Sequence, residues 1–455
     1  MKIVLLTLGF LAMVCLSSAA EEMTPGPVLF ALEGVLLQES EHTYTVIAAA
    51  GTGPSDVSVT ISLPTSGGSL GHEQRIAACD LTADPALQSS REEMDTDGNR
   101  WFIAHWTDAS GDASLVRRTR WLDETLYAPI LTTSRYPIDP GVLPADALPW
   151  LAASAQVQSD APAVAQLAGQ LTTGAVMQIE VVARVLGWLH EHVAIAECDT
   201  PVPQIDALWT LENGRGICGN FSNLALALLR AAGIPSRPAW GYVADADAQN
   251  GIGHVWIDVF FPDLGWTEFE SSPWVPSGAA LVLEMFNNHF PETGVPATFL
   301  LPQHLTVARG DERGISGASF DEQHTASITE VERPREVTQA QADVPLGVAI
   351  SWVLTLRSPS YYEVLLYEAG FGYADLDLTL SVSGVPAGWY ACLSQTEVSI
   401  EKQWVSTPGP TRNVLLTVMP PATAPHGEAA SIVVTATSAG TVVGTFAADL
   451  TVVAP

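Results

Sequence analysis

The stretch that most constrains this chain runs from 214 to 242, "GRGICGNFSNLALALLRAAGIPSRPAWGY". Phe221, Leu224, Ala225, Leu228 and Leu229 recur at i, i+3, i+4, i+7 and i+8, one apolar stripe of an α-helix. Gly233 stands where a left-handed residue ends such a helix, and Pro235 just beyond prevents its continuation. Cys218 opens the helix between Gly216 and Gly219. A structural thiol is ordinarily set among branched apolar residues. This one sits where first-turn N–H groups and the helix dipole favour a thiolate. The glycines remove bulk, so that backbone and substrate can approach.

A thiolate nucleophile needs a proton partner and a group to orient that partner. "HVWIDVFF" (254–261) and "WTEFE" (266–270) read as two strands joined by "PDLG". His254 heads the first strand, and a neutral imidazole near its usual pKa takes a thiol proton and returns it to a leaving group. Taken singly, a cysteine or a histidine is more simply a core residue. The helix start, the glycines and the neighbouring strand together point to chemistry.

These two segments resemble the transglutaminase-like superfamily over about residues 150–275. The likeness lies in a Cys opening a helix, the "LLRAAGIPSR" that follows, "GHVW" on a strand, and a Gly-Trp followed by an acid. The resemblance implies a papain-like Cys-His-Asp triad on helices packed against an antiparallel sheet, with Cys218 as nucleophile and His254 as base. At the third position this sequence departs from the family, carrying Glu270 in "WTEFESS" where Asp is usual. Glu keeps the carboxylate and is one methylene longer. His254 and Glu270 share a sheet face if the hairpin loop has an odd number of residues, which a three-residue Asp263-Leu264-Gly265 loop satisfies with Gly265 left-handed. Asp258 is the rival orienter, but four residues along one strand put it about 13 Å from His254.

Other features bound the reading. The formal net charge of −31 argues against a nucleic-acid partner, which would need clustered Lys and Arg. Lysine occurs only as Lys2 and Lys402. Residues 1–20, "MKIVLLTLGFLAMVCLSSAA", read as a secretory signal cleaved after Ala20, and no other run is apolar enough to span a bilayer. The expected mature protein is exported, to the periplasm, the cell surface or the medium. Of its cysteines, Cys79 and Cys198 suggest a disulfide, though spacing does not pair them. His190 and His192 in "LHEHV" lack the i, i+4 spacing of a helical metal pair. "NFS" at 220–222 falls in a helix start and "RGD" at 309–311 is common by chance, so neither is assigned a role. No metal or organic cofactor is implied.

The expected organisation is a signal (1–20), an N-terminal β domain (21–140), the catalytic core with trailing strands (141–340) and a C-terminal β-sandwich (341–455). "AVMQIEVVARVLGWLHEHV" predicts a core helix and "DAPAVAQLAGQL" another, opened by an acidic cap. "SVSGVPAGWYACLS" resembles an immunoglobulin-like repeat, and residues 344–455 carry enough strands to fold as a unit. The fold class is thus α+β, a papain-like transglutaminase core between β-sandwich domains. The function expected is an exported cysteine-dependent acyl-transfer enzyme acting on peptide or amide substrates through a thioester, by hydrolysis or by transfer to an amine. The alternative is an inactive scaffold of the same fold.

Overall fold

The computed structural model describes residues 27–48, 55–95, 98–109, 112–196, 202–244, 251–272, 304–309, 320–332, 334–358, 376–400 and 411–454. The expected signal segment (1–20), Cys198 and its suggested pairing with Cys79, and Gly310 and Asp311 of the RGD tripeptide lie outside the described residues.

Strands β1 (Leu29–Ala48), β2 (Ser55–Leu63), β3 (Gly67–Ser69), β4 (His72–Asp84), β5 (Ser89–Met94), β6 (Arg100–Ala109) and β7 (Ala113–Tyr127) form an N-terminal sandwich. One sheet runs β1-β7-β4-β3 and the other β2-β6-β5. Alternate residues of β7 are buried along its whole length, the two-residue period of a half-buried strand. The inner faces meet through Tyr44, Val46 and Leu115 on one side and Val59, Ile61 and Trp106 on the other. Next to β6, Asp95 accepts a 2.8 Å bond from the Trp101 indole N–H. Strand β8 (Ile130–Thr132) leads out of this sandwich.

The core follows as α1 (Pro162–Leu171), α2 (Gln178–His192), β9 (Ala194–Ile195), α3 (Ala207–Asn213), β10 (Arg215–Gly216) and α4 (Cys218–Ala231). An antiparallel sheet then forms from β11 (Ser236–Ala244), β12 (Gly251–Phe261), β13 (Gly265–Phe269) and β14 (His304–Arg309), in the order β13-β12-β11-β14. Every residue of α4 from Gly219 to Arg230 is buried, so this is the central helix. Its Leu224 and Leu228 pack with Ile179, Val182, Val185, Leu186 and Leu189 of α2 and with Ile257, Val259 and Phe269 of the sheet. Gly233 (φ +78°) ends α4 in a Schellman motif: its N–H donates to Arg230 O, and that of Ile234 to Leu229 O, both at 2.9 Å. Two local expectations change. Helix α1 starts with Ala161 as N-cap and Pro162 at N1, with no side-chain cap, so the acidic cap is absent. Helix α3 was not anticipated, although Asp206 caps it by accepting from Trp209 N–H at 2.9 Å.

Strands β15 (Phe320–Glu332) and β16 (Arg335–Val337) return to pair with β1. Then β17 (Gln339–Pro345), β18 (Ala349–Arg357), β19 (Leu376–Ser383), β20 (Tyr390–Leu393), β21 (Glu397–Ile400), β22 (Thr411–Met419), β23 (Ala429–Ser438) and β24 (Thr441–Val453) form a second sandwich. Its sheets are β20-β22-β18 and β17-β24-β23-β19-β21, closed over Trp352, Leu354, Leu416, Ile432 and Phe446. Strand β1 joins both sandwiches. Leu29–Ala31 pair with β18, whereas Gly34–Ala48 pair with β7, and Gly34 at the joint has φ +117°, a conformation side-chain residues avoid. Leu29 and Ala31 pack within the C-terminal core.

A buried charged row ties the N-terminal sandwich to the core sheet. Arg237 opposes Asp258, which opposes Glu268 across three strands. Arg237 Nε lies 3.1 Å from Asp258 Oδ2, with the guanidinium 4.2 Å from the Trp266 ring centre. His72 completes the row, its Nδ1 3.0 Å from Glu268 Oε2 and its Nε2 hydrogen-bonded to Asp123. Burial alone would lower the His72 pKa, but Asp123 and Glu268 outweigh it and raise it to about 10. A raised folded-state pKa stabilises fully below the ordinary 6.5, and the gain is lost as pH rises through about 10. His72→Ala leaves two buried carboxylates without their cation and is expected to destabilise by about 3–5 kcal/mol. Urea unfolding across pH checks this: the gap from wild type should be wide at pH 7 and narrow above pH 10.

Candidate active site

Three elements bring the sequence candidates together. Cys218 is the first residue of α4 and is half-buried, while His254 on β12 and Glu270 just past β13 are 4 % and 2 % exposed. His254 Nε2 lies 2.7 Å from Glu270 Oε2. This leaves Nδ1 for the hydrogen bond between the imidazole and the Cys218 side chain. Glu270 is fixed in turn, because its Oε1 accepts from Ser272 N–H and Ser272 Oγ–H, each at 2.7 Å. Asp258 is engaged with Arg237 in the row described above.

The hairpin geometry explains how His254 and Glu270 meet. The last β12–β13 pair is Phe261↔Gly265, so the loop is Pro262-Asp263-Leu264, with Gly265 at φ +76°. It has the odd length expected but lies one residue earlier than the sequence suggested. Either placement keeps even-numbered residues of both strands on one face. Asp263 secures the loop by accepting from Thr132 Oγ1 at 3.0 Å and from Thr133 Oγ1 at 2.9 Å.

The helix mouth is equally determined. Asn220 Oδ1 accepts from Ile217 N–H at 3.1 Å, and its Nδ2 donates to Thr210 Oγ1 at 2.8 Å and Gln204 O at 3.0 Å. A Cβ on Gly216 would fall 2.2 Å from Asn220 Cβ, so glycine is required there. A Cβ on Gly219 would meet nothing within 4 Å, leaving space beside the thiol. Asn220 is buried with its amide engaged, which accounts for "NFS" as a chance acceptor match.

Burial would depress the His254 pKa, but the Glu270 charge and the bonds to Cys218 and Glu270 outweigh it and raise it to about 10. Burial pulls Glu270 upward, yet His254 and Ser272 hold its carboxyl below the ordinary value. The imidazolium–carboxylate pair is thus the form the site favours. Cys392 is a contrast: burial first, then Glu180, pushes its thiol up to about 12, marking it as inert. His190 and His192 have separate partners. His192 Nδ1 meets Trp188 O at 2.8 Å, whereas His190 hydrogen-bonds the Ser271 backbone. Burial drives His190 down to about 4, against the pull of Glu270. The sequence reading missed Ser222, Ser271 and Ser272, and considered His190 only as a metal ligand. The one available signal was the run "ESS", hydroxyls directly after the acid.

Residues 165–271 match the core of the transglutaminase-like superfamily. The uncharacterized protein YebA of Bacillus subtilis is 39% identical over 71 residues, covering 13% of this chain, and the chain spans only 10% of YebA. A candidate cysteine protease from Cytophaga hutchinsonii superimposes with a TM-score of 0.48 at 17% identity, covering 67% of this chain and 93% of that one. The periplasmic domain of TgpA from Pseudomonas aeruginosa gives 0.27 at 14% identity, over 55% of this chain and 94% of its own. The segment that carries Cys218, His254 and Glu270 is a transglutaminase-like core domain.

Proposed function

We propose that this protein is an exported, cysteine-dependent acyl-transfer enzyme acting on peptide or amide substrates, with Cys218 as nucleophile, His254 as proton shuttle and Glu270 as orienter. The observation that carries the reading is the imidazole held between a half-buried thiol and a buried carboxylate at 2.7 Å. The Cys218 thiolate, charge-paired with the His254 imidazolium, attacks the substrate carbonyl carbon through its sulfur. The resulting oxyanion forms beside the first turn of α4, where the Cys218 N–H is a donor. His254 returns the proton to the leaving amine as the C–N bond breaks, leaving a thioester. A second nucleophile, deprotonated by His254, then releases the acyl group and restores the thiolate–imidazolium pair. Throughout, Glu270 holds the ring tautomer and balances the imidazolium charge. Ile217 and Ile195, 46% and 45% exposed, give the substrate an apolar rim, since Ile217 precedes Cys218 and Ile195 pairs with Gly216.

Water is the acceptor favoured, because hydrolysis requires only solvent access to the thioester. Incubation with a protein library, with and without an added primary amine, tests the reading by mass spectrometry. New carboxyl ends or deamidated glutamines in both arms are expected. Amine adducts would move the assignment to transamidation, and no change in either arm would remove the enzymatic reading.

A further inference from the structure

Ser222 lies one helical turn below Cys218, fully buried in the central helix. A serine in such a position ordinarily bonds back to the carbonyl four residues earlier or faces solvent. Here its hydroxyl crosses to the sheet. It donates to Val255 O at 3.2 Å and meets Ser271 Oγ at 2.8 Å. Val255 follows His254 and Ser271 follows Glu270, so one hydroxyl on the nucleophile helix touches the neighbours of both partners.

The strand register shows why a side chain is needed there. The β12–β13 pairs end at Ile257↔Phe269. Continuing the same register would set Val255 opposite Ser271. Ser222 Oγ bridges these two residues instead. The donors are consistent in one direction: Ser271 O–H to Ser222 Oγ, and Ser222 O–H to the Val255 carbonyl. The Ser271 backbone is bonded in turn to His190 of α2. We propose that Ser222 is the positioning residue that sets the spacing between the nucleophile helix and the two strands bearing His254 and Glu270. This rests on reading those three residues as a catalytic triad.

The test uses the full chain and iodoacetamide as probe, with modification of Cys218 followed by peptide mass mapping at pH 7. Ser222→Ala is expected to slow alkylation of Cys218 at least tenfold. It should also lower the pH at which the His254 ring titrates by NMR, while circular dichroism stays native. Ser222→Thr, which keeps the hydroxyl, should restore most of the rate. A purely structural role would change the melting temperature and leave the per-molecule rate and the His254 titration unmoved, and that result overturns the proposal. If Ser222→Ala does not fold, Ser271→Ala decides: it retains the Val255 bond and should slow alkylation several-fold, and an unchanged rate counts against the idea. A wild-type Cys218 no faster than a free cysteine refutes the triad itself and the positioning role with it. A fast wild type with an equally fast Ser222→Ala refutes only the latter.

Discussion

Cys218→Ala is expected to abolish turnover, by roughly 10⁶-fold if the loss matches that of other deleted nucleophiles, with the fold unchanged. Alanine is the best helix former and adds no bulk at the first turn of α4. The mouth of that helix is held by Asn220 and Gly216, neither of which depends on the thiol. Circular dichroism and thermal melting should therefore overlay those of wild type, while product formation disappears. A folded variant that keeps its activity would show that chemistry lies elsewhere. A variant that unfolds would make Cys218 a structural residue.

Glu270→Gln should lower kcat by about 10⁴, the loss seen when a triad carboxylate becomes an amide. The amide keeps the shape but can present its NH₂ to His254 and select the wrong tautomer. The pH profile is the more specific readout. His254 holds its proton up to about pH 10 because Glu270 offsets burial, so the alkaline limb of kcat/KM should fall through about that pH. With glutamine, burial acts unopposed by that charge and the limb should move several units lower. The stability signs agree. His254 contributes fully below its ordinary 6.5 and loses that contribution as pH rises through about 10. Glu270, held low, contributes above its ordinary 4.5 and loses it as pH falls below. Glu270→Asp restores the residue usual in the family, yet it should also be impaired, by about a hundredfold. A carboxylate drawn back by ~1.5 Å leaves both the His254 contact and the two Ser272 bonds, and misplacement of that size costs about 10² in rate. Asp258→Asn is the control: it disturbs the Arg237 pair and stability while the alkaline limb stays in place. A shifted limb in Asp258→Asn with normal behaviour in both Glu270 variants would reverse the assignment of the third residue.

Much of the core was legible because its signals are local. The stripe from Phe221 to Leu229 states which helix must be buried, and Gly233 and Pro235 state where it ends. The residues of "PDLG" allow only a short hairpin, and an odd loop places His254 and Glu270 on one face whichever residues occupy it. Cys218 at a helix start was therefore recognisable before its contact was known, whereas His254, read as the head of a strand, is the fourth residue of β12. The tertiary structure decided what each surface faces, since periodicity reports that a face is buried and carries no information about its partner. Nothing local in β1 announces that Leu29–Ala31 pair with β18 while Gly34–Ala48 pair with β7, or that β15 returns to β1 across almost three hundred residues. His72 and Glu268 each read as an ordinary polar strand residue until two sheets bury them together. Ser222 reads as a weak point in an apolar stripe, and only the separation of β12 from β13 beyond Ile257↔Phe269 gives its hydroxyl two partners. Sequence thus determined the three longer helices, the turns and the candidate residues through short-range sterics and spacing, while the short α3 went unread. Long-range pairing, which depends on closing large loops and burying matched faces together, determined how those groups meet.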